Sequence, residues 1–179
     1  MRGLKAAAAM AFAAAALALV LRNTQGLRKV DAVAVGAVYL GRDGVRMQTD
    51  TVDCGVAALE MVFEAYGKDV ASLSAARAAA LAAGEPLSFL QLKDLAAAAG
   101  LRATGWTGRI GDLGATPKPL IAHTAHHFVV VDSVTDNGVF VRDPALGRLR
   151  YDRERFSRVW TGAAMTFNAL PEVGKGDSR

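Results

Sequence analysis

The stretch Asp53–Tyr66, DCGVAALEMVFEAY, followed by Gly67, decides how this chain folds. Val56, Leu59, Val62, Phe63 and Tyr66 recur at helical spacing, which predicts a helix with one apolar face. Gly67 supplies the stop. Toward the carboxy terminus the helical period persists through two more segments. Ser72–Ala83 ends at Gly84, and Ser88 with Gln91 forms a capping-box pair opening a helix through Ala99, closed by Gly100. The period then drops to two. Leu101–Ile110, Leu120–His123, Phe128–Val134, Val139–Arg142 and Arg148–Tyr151 alternate as strands do, with Asn137-Gly138 as a hairpin signal between two of them. Arg153–Trp160 predicts a short helix and Ala163–Leu170 a last strand. Helices first and strands afterwards predict an α+β domain, its amino-terminal helices packed on a carboxy-terminal antiparallel sheet.

Toward the amino terminus, Ala32–Met47 alternates, with Val33, Val35, Ala37 and Tyr39 on one side and Gly41-Arg42-Asp43-Gly44 as a turn. This predicts a hairpin within an extension spanning 22–46, whose first ten residues are a polar linker. Met1–Lys5 carries two positive charges, and Ala6–Leu21 then runs sixteen residues without any. That is the layout of a secretory signal, with Ala16-Leu17-Ala18 as a small-x-small cleavage site. Residues 1–21 are therefore expected to be a signal peptide or short membrane anchor. The protein is expected to be exported, periplasmic or extracellular, and to touch a membrane only through 6–21 if uncleaved. Residues 47–170 form the expected main domain, and 171–179 a disordered tail.

A composition of 52% hydrophobic and 21% charged residues is that of a globular chain, which sets disorder aside. The formal charge of +4 falls to +2 once Arg2 and Lys5 are set apart. Arg148, Arg150, Arg153, Arg155 and Arg158 span a strand end and a short helix with no aromatic platform between them, the pattern of a solvated face. Nucleic acid is excluded as a partner on that ground.

The chain has one cysteine, Cys54. Exported proteins carry cysteines in disulfide pairs, so a solitary thiol is intermolecular or reactive. Cys54 opens the strongest helix, where unpaired N–H groups and the helix dipole stabilise a thiolate and point at an incoming carbonyl oxygen. Gly55 is expected to keep that approach uncrowded, and Asp53 to cap the helix. The chain has three histidines, His123, His126 and His127. His126 and His127 are neighbours on a strand and face opposite sides, so only one can meet Cys54. Asp143, at a strand end, could accept a hydrogen bond from that imidazole, and Gln48 could supply an N–H to an oxyanion. Adjacent strand histidines diverge, so a metal cluster with Cys54 is not expected, and no cofactor is implied. A strict two-residue turn at Asn137-Gly138 would pair Asp136 with Val139 and set Asp143 opposite Asp132. His127 then lies five residues off, about 16 Å along the strand, so a triad demands a wider loop or a bulge.

These residues, in this order, resemble the double-glycine-leader peptidases, the bacteriocin-processing family of papain-like cysteine peptidases. The resemblance rests on Gln48-Thr-Asp-Thr-Val-Asp-Cys-Gly55 running into Ala-Leu-Glu-Met-Val-Phe-Glu-Ala-Tyr-Gly67, then Leu92-Lys-Asp-Leu-Ala, then His127-Phe-Val-Val-Val. Arg142-Asp-Pro-Ala-Leu-Gly147 and Phe156-Ser-Arg-Val-Trp-Thr-Gly162 complete it, so it covers roughly Met47–Leu170. It implies a papain-like fold with Cys54 as nucleophile, His127 as general base and acid, Asp143 as orienting group and Gln48 as oxyanion donor. The family's histidine directly precedes an aromatic residue, which selects His127 over His126. Many members are the first domain of a peptide exporter. This sequence holds no G-x-x-x-x-G-K-[ST] loop and no run of spanning helices, so a free-standing member is expected. The implied substrate is an exported protein or peptide precursor cut after small residues such as Gly-Gly, with secretion machinery as a further partner. Two rival readings share the fold: an inactive module holding an exported client, and a cell-wall peptide amidase or transferase using the same triad.

Overall fold

The structure is a computed structural model that describes residues 35–125 and 127–170. The expected signal segment, linker and tail, and His126, lie outside the described residues. The elements run β1 (Ala37–Gly41), α1 (Cys54–Ala65), a 3-10 turn (Val70–Leu73), α2 (Ser74–Ala83), α3 (Phe89–Ala98), β2 (Leu101–Thr107) and α4 (Ile110–Ala115). Then follow β3 (Leu120–Thr124), β4 (His127–Thr135), β5 (Gly138–Asp143), β6 (Gly147–Tyr151), α5 (Arg153–Val159) and β7 (Trp160–Ala169). The α+β expectation holds: the seven strands form one sheet, ordered β1-β6-β5-β4-β3-β7-β2, with every pairing antiparallel.

Alternation along the strands splits the core into two layers, one on each face of the sheet. Ile121, Phe128, Val130, Met165 and Phe167 join Val56, Leu59, Met61, Val62 and Phe63 of α1 and Leu92 of α3. Leu120, Ala122, Val129, Val131, Val139 and Val141 face the other way and pack with Leu113 of α4 and Phe156 of α5. The helix stops are where the sequence puts them. Ser88 and Gln91 form the capping box of α3, and Gly84 closes α2 with a left-handed φ of 65°.

Three local expectations are corrected. The strand at Ala37–Gly41 does not fold back as a hairpin within Ala32–Met47; among the described residues it pairs instead with β6, Ala37 opposite Tyr151. The strand expected over Leu101–Ile110 ends at Thr107, and Ile110 starts the short helix α4. The third concerns the turn between β4 and β5. Thr135 pairs with Gly138, leaving Asp136 and Asn137 as the loop. A primed turn needs positive φ at both central residues. Neither Asp136 nor Asn137 has one; Gly138 takes φ +126 instead. An added Cβ at Gly138 would stand 2.2 Å from the Tyr151 carbonyl, so only glycine fits.

Candidate active site

Gln48–Cys54 connects the β1 edge of the sheet to α1. Asp53 sits at the helix N-cap position, but its side chain makes no cap hydrogen bond. This corrects the capping role. The carboxylate turns back on its own loop, accepting from the Thr49 N–H (3.0 and 3.1 Å), the Thr49 hydroxyl (2.9 Å) and the Asp50 N–H (3.0 Å). It is fully buried and faces Arg77 of α2, whose Nε lies 3.2 Å away. Gly55 also has a different task from the one expected. A Cβ there would press on Phe128 at 3.2 Å and Leu92 at 3.4 Å, so glycine lets the start of α1 seat against β4 and α3.

The thiol of Cys54 is buried with that layer of the core. Burial disfavours a thiolate, yet the net effect lowers the Cys54 pKa. A hydrogen bond from His127, the backbone N–H groups of Phe128 and Gly55, and the charge of His127 outweigh the desolvation. His127 opens β4, after a link so tight that Ala125 takes φ +50. Its Nε2 lies 2.8 Å from Asp143 Oδ1, which leaves the other ring nitrogen, Nδ1, for Cys54. Burial would discharge the imidazole, but the hydrogen bonds and negative charges of Asp143 and Cys54 raise its pKa to about 10. Thiolate and imidazolium therefore stabilise each other. Asp143 is itself fixed, accepting from Ala145 N–H (2.7 Å) and Leu146 N–H (3.2 Å).

The turn at Asp136-Asn137, one residue earlier than expected, and a bulge in β4 together bring His127 and Asp143 close: the turn moves the pairing by two residues and the bulge by one more. Val134 pairs with Val139 and Ser133 with Phe140, but then Val131 pairs with Val141 and Val130 with Arg142, so Asp132 is the extra residue. One step further sets Asp143 beside Val129, two residues from His127, about 7 Å along the strand instead of 16. The slip also places both side chains on one face, since even offsets share a face and odd ones do not. Arg142 grips the bulged residue: its Nε and Nη2 donate to the Asp132 carboxylate at 2.8 to 3.0 Å.

Gln48 belongs to the same corner. Its backbone N–H donates to Pro144 O at 2.9 Å, one residue past Asp143, and its amide oxygen is buried without a hydrogen-bond partner. On the α5 face, a cavity of about 530 Å³ adjoins His127 and Asp143 and is lined further by Leu146, Tyr151 and Arg158. His123 does not join the cluster; its ring meets Phe89, Phe128 and the Thr161 hydroxyl. Among the described residues no group of His, Cys, Asp and Glu side chains is placed to share a metal ion. Sequence reasoning missed Arg77 and the Asp132–Arg142 pair. No spacing rule links a helix residue to a loop 24 positions upstream, and a bulge leaves no mark in the alternation of β4.

Residues 42–172 match the family described as the Peptidase C39 family. A probable microcin secretion/processing ATP-binding protein of Escherichia coli is 34% identical over 119 residues, which is 66% of this chain and 17% of that protein. A probable functional amyloid protease of Pseudomonas aeruginosa is 33% identical over 149 residues, 76% of this chain and 63% of that protein. This chain thus spans about a sixth of the length of the transporter relative. Among solved structures, a double glycine motif protease from an AMS/PCAT transporter, in complex with the leader peptide, superposes with a TM-score of 0.61 at 28% identity. It covers 75% of this chain and 98% of its own.

Proposed function

This chain belongs to the peptidase C39 family and is a cysteine peptidase, and from that premise we propose that it cleaves an exported protein or peptide precursor after small residues such as Gly-Gly. Cys54 is the nucleophile, His127 the general base and acid, Asp143 the group that orients the imidazole, and Gln48 an oxyanion donor. One observation carries this reading: His127 Nε2 lies 2.8 Å from Asp143 Oδ1, and the same imidazole acts on the buried Cys54 thiol to lower its pKa.

The chemistry follows from that line. The Cys54 thiolate attacks the scissile carbonyl carbon, and the carbonyl electrons move onto oxygen. Backbone N–H groups at the start of α1 and the Gln48 amide face that charge. A turn of the Gln48 amide about its last bond puts an N–H where the unpartnered oxygen now lies, and the oxyanion is the acceptor such a donor needs. As the tetrahedral species collapses, His127 gives its proton to the leaving amine and a thioester remains on Cys54. His127 then takes a proton from water, the hydroxide adds to the thioester, and the thiolate leaves. Asp143 keeps Nε2 occupied throughout, so the imidazole meets sulfur and leaving group with the same nitrogen.

Export is part of the proposal, supported by the uncharged run Ala6–Leu21 after Arg2 and Lys5. Among the described residues no helix is long and apolar enough to cross a membrane. The transporter relatives carry secretion/processing or transport/processing in their names, which supports a precursor peptide and a secretion system as partners. The test is proteomic. The amino termini of exported proteins are compared in cells with the native protein and with Cys54→Ala. The reading predicts at least one precursor that loses a cut after Gly-Gly or a similar small pair; identical termini in both strains would refute it.

A further inference from the structure

Asp53 and Arg77 are not needed by the mechanism above, yet Asp53 is a fully buried carboxylate next to the nucleophile. A buried charge is retained only when it is paired and hydrogen-bonded. Here the partners come from both sides. From the loop, Thr49 N–H, Thr49 hydroxyl and Asp50 N–H all point at the carboxylate. From α2, Arg77 sets Nε 3.2 Å from Asp53 and gives Nη2 to Glu60 Oε2, also at 3.2 Å, about two turns beyond Asp53 along α1. The Nε contact is an ion pair lacking hydrogen-bond alignment, so charge holds it.

The connectivity gives this cluster a purpose. Thr49 and Asp50 directly follow Gln48, and Asp53 directly precedes Cys54. The carboxylate therefore closes a ring whose two exits are the oxyanion donor and the nucleophile. With Asp53 anchored on α2 through Arg77, and Gln48 anchored on Pro144, the spacing between amide and thiol is fixed at both ends. We propose that Arg77, acting through Asp53, is a positioning residue that holds the Gln48 donor at its working distance from Cys54. This rests on the reading of Gln48 as an oxyanion donor. A stabilised oxyanion exists only after attack, so loosening the ring costs turnover and leaves substrate binding alone.

The experiment is a double-mutant cycle on a leader-type peptide ending in Gly-Gly joined to a fluorogenic amine. The variants are Arg77→Met, which keeps the length and removes the charge, Gln48→Ala, and the two combined. Arg77→Met is expected to lower kcat roughly tenfold to a hundredfold with KM unchanged, and to add nothing to Gln48→Ala. Thr49→Val removes one bond to Asp53 from an exposed residue. It provides a second cycle with the same sign and smaller size should Arg77→Met fail to fold. Native kcat in Arg77→Met, or losses that multiply with those of Gln48→Ala in either cycle, would overturn the proposal and leave the oxyanion reading intact. Native kcat in Gln48→Ala would overturn both.

Discussion

Gln48 and Cys54 lie on seven consecutive residues of chain, whereas His127 and Asp143 come from two strands and meet across a hairpin. The first pair is set by a loop that closes on itself through Asp53 and by a helix whose start is plain in the sequence. The second depends on register, and register here turns on the Asp136-Asn137 loop and on one extra residue, Asp132. Local hydrogen bonds can tune the first region by fractions of an ångström. The second is all or none, because a slip of one residue turns a side chain to the other face.

The comparison can be broken most severely at Asp143. Asp143→Ala leaves the hairpin register in place and removes the group that raises the His127 pKa, by hydrogen bond and by charge. A loss of kcat on the order of 10³- to 10⁴-fold is expected. The alkaline limb of the pH–rate profile, which His127 sets near 10, should move to lower pH, since an imidazolium without Asp143 gives up its proton more readily. An unmoved limb would mean that Asp143 only braces the β5–β6 turn. The next effect belongs to the other region. Gln48→Ala is expected to cost about 10²- to 10³-fold in kcat while the acid limb, set by Cys54, stays where it is. The smallest comes from Arg142→Met, which frees the bulge. The ion pair is partly exposed, so the expected loss is about 1 kcal/mol or less in chemical denaturation, with turnover falling further than that stability loss explains. Equal turnover in Arg142→Met and native protein would show that the bulge holds without its arginine.

Much of the fold was legible because each signal was local. The Ser88–Gln91 capping box, the glycine stops and the two-residue period of the strands act within a few positions, and most elements formed within a residue or two of their expected bounds, although β2 ends and β7 begins three residues early and α4 had no expected counterpart. Two further departures share a cause. Ala37–Gly41 alternates like a hairpin strand, but its partner β6 lies more than a hundred residues away. Asn137-Gly138 marks a turn, but which residues pair across it depends on the fit of Gly138 under Tyr151. Residue type and order pointed to Cys54 and to one of His126 and His127, and the family resemblance selected His127 and gave Asp143 its role. The proximity of His127 and Asp143 could not be read this way, since strict pairing at Asn137-Gly138 separates them, and an earlier turn together with a bulge rejoins them. Arg77 carried no sequence signal, and Arg142, although it opens the stretch Arg142–Gly147, carried none of its pairing with Asp132.

The most direct test of the account is the ultraviolet absorbance of the thiolate as a function of pH, taken as the native protein minus Cys54→Ala. With one cysteine in the chain, the difference signal belongs to Cys54 alone. The account predicts a thiolate formed below the ordinary thiol range, and a rise toward or above that range in His127→Ala, where burial is opposed only by the Phe128 and Gly55 backbone groups. A signal that appears only in the ordinary thiol range, and that His127→Ala leaves unchanged, would contradict the Cys54–His127 pair on which the mechanism stands.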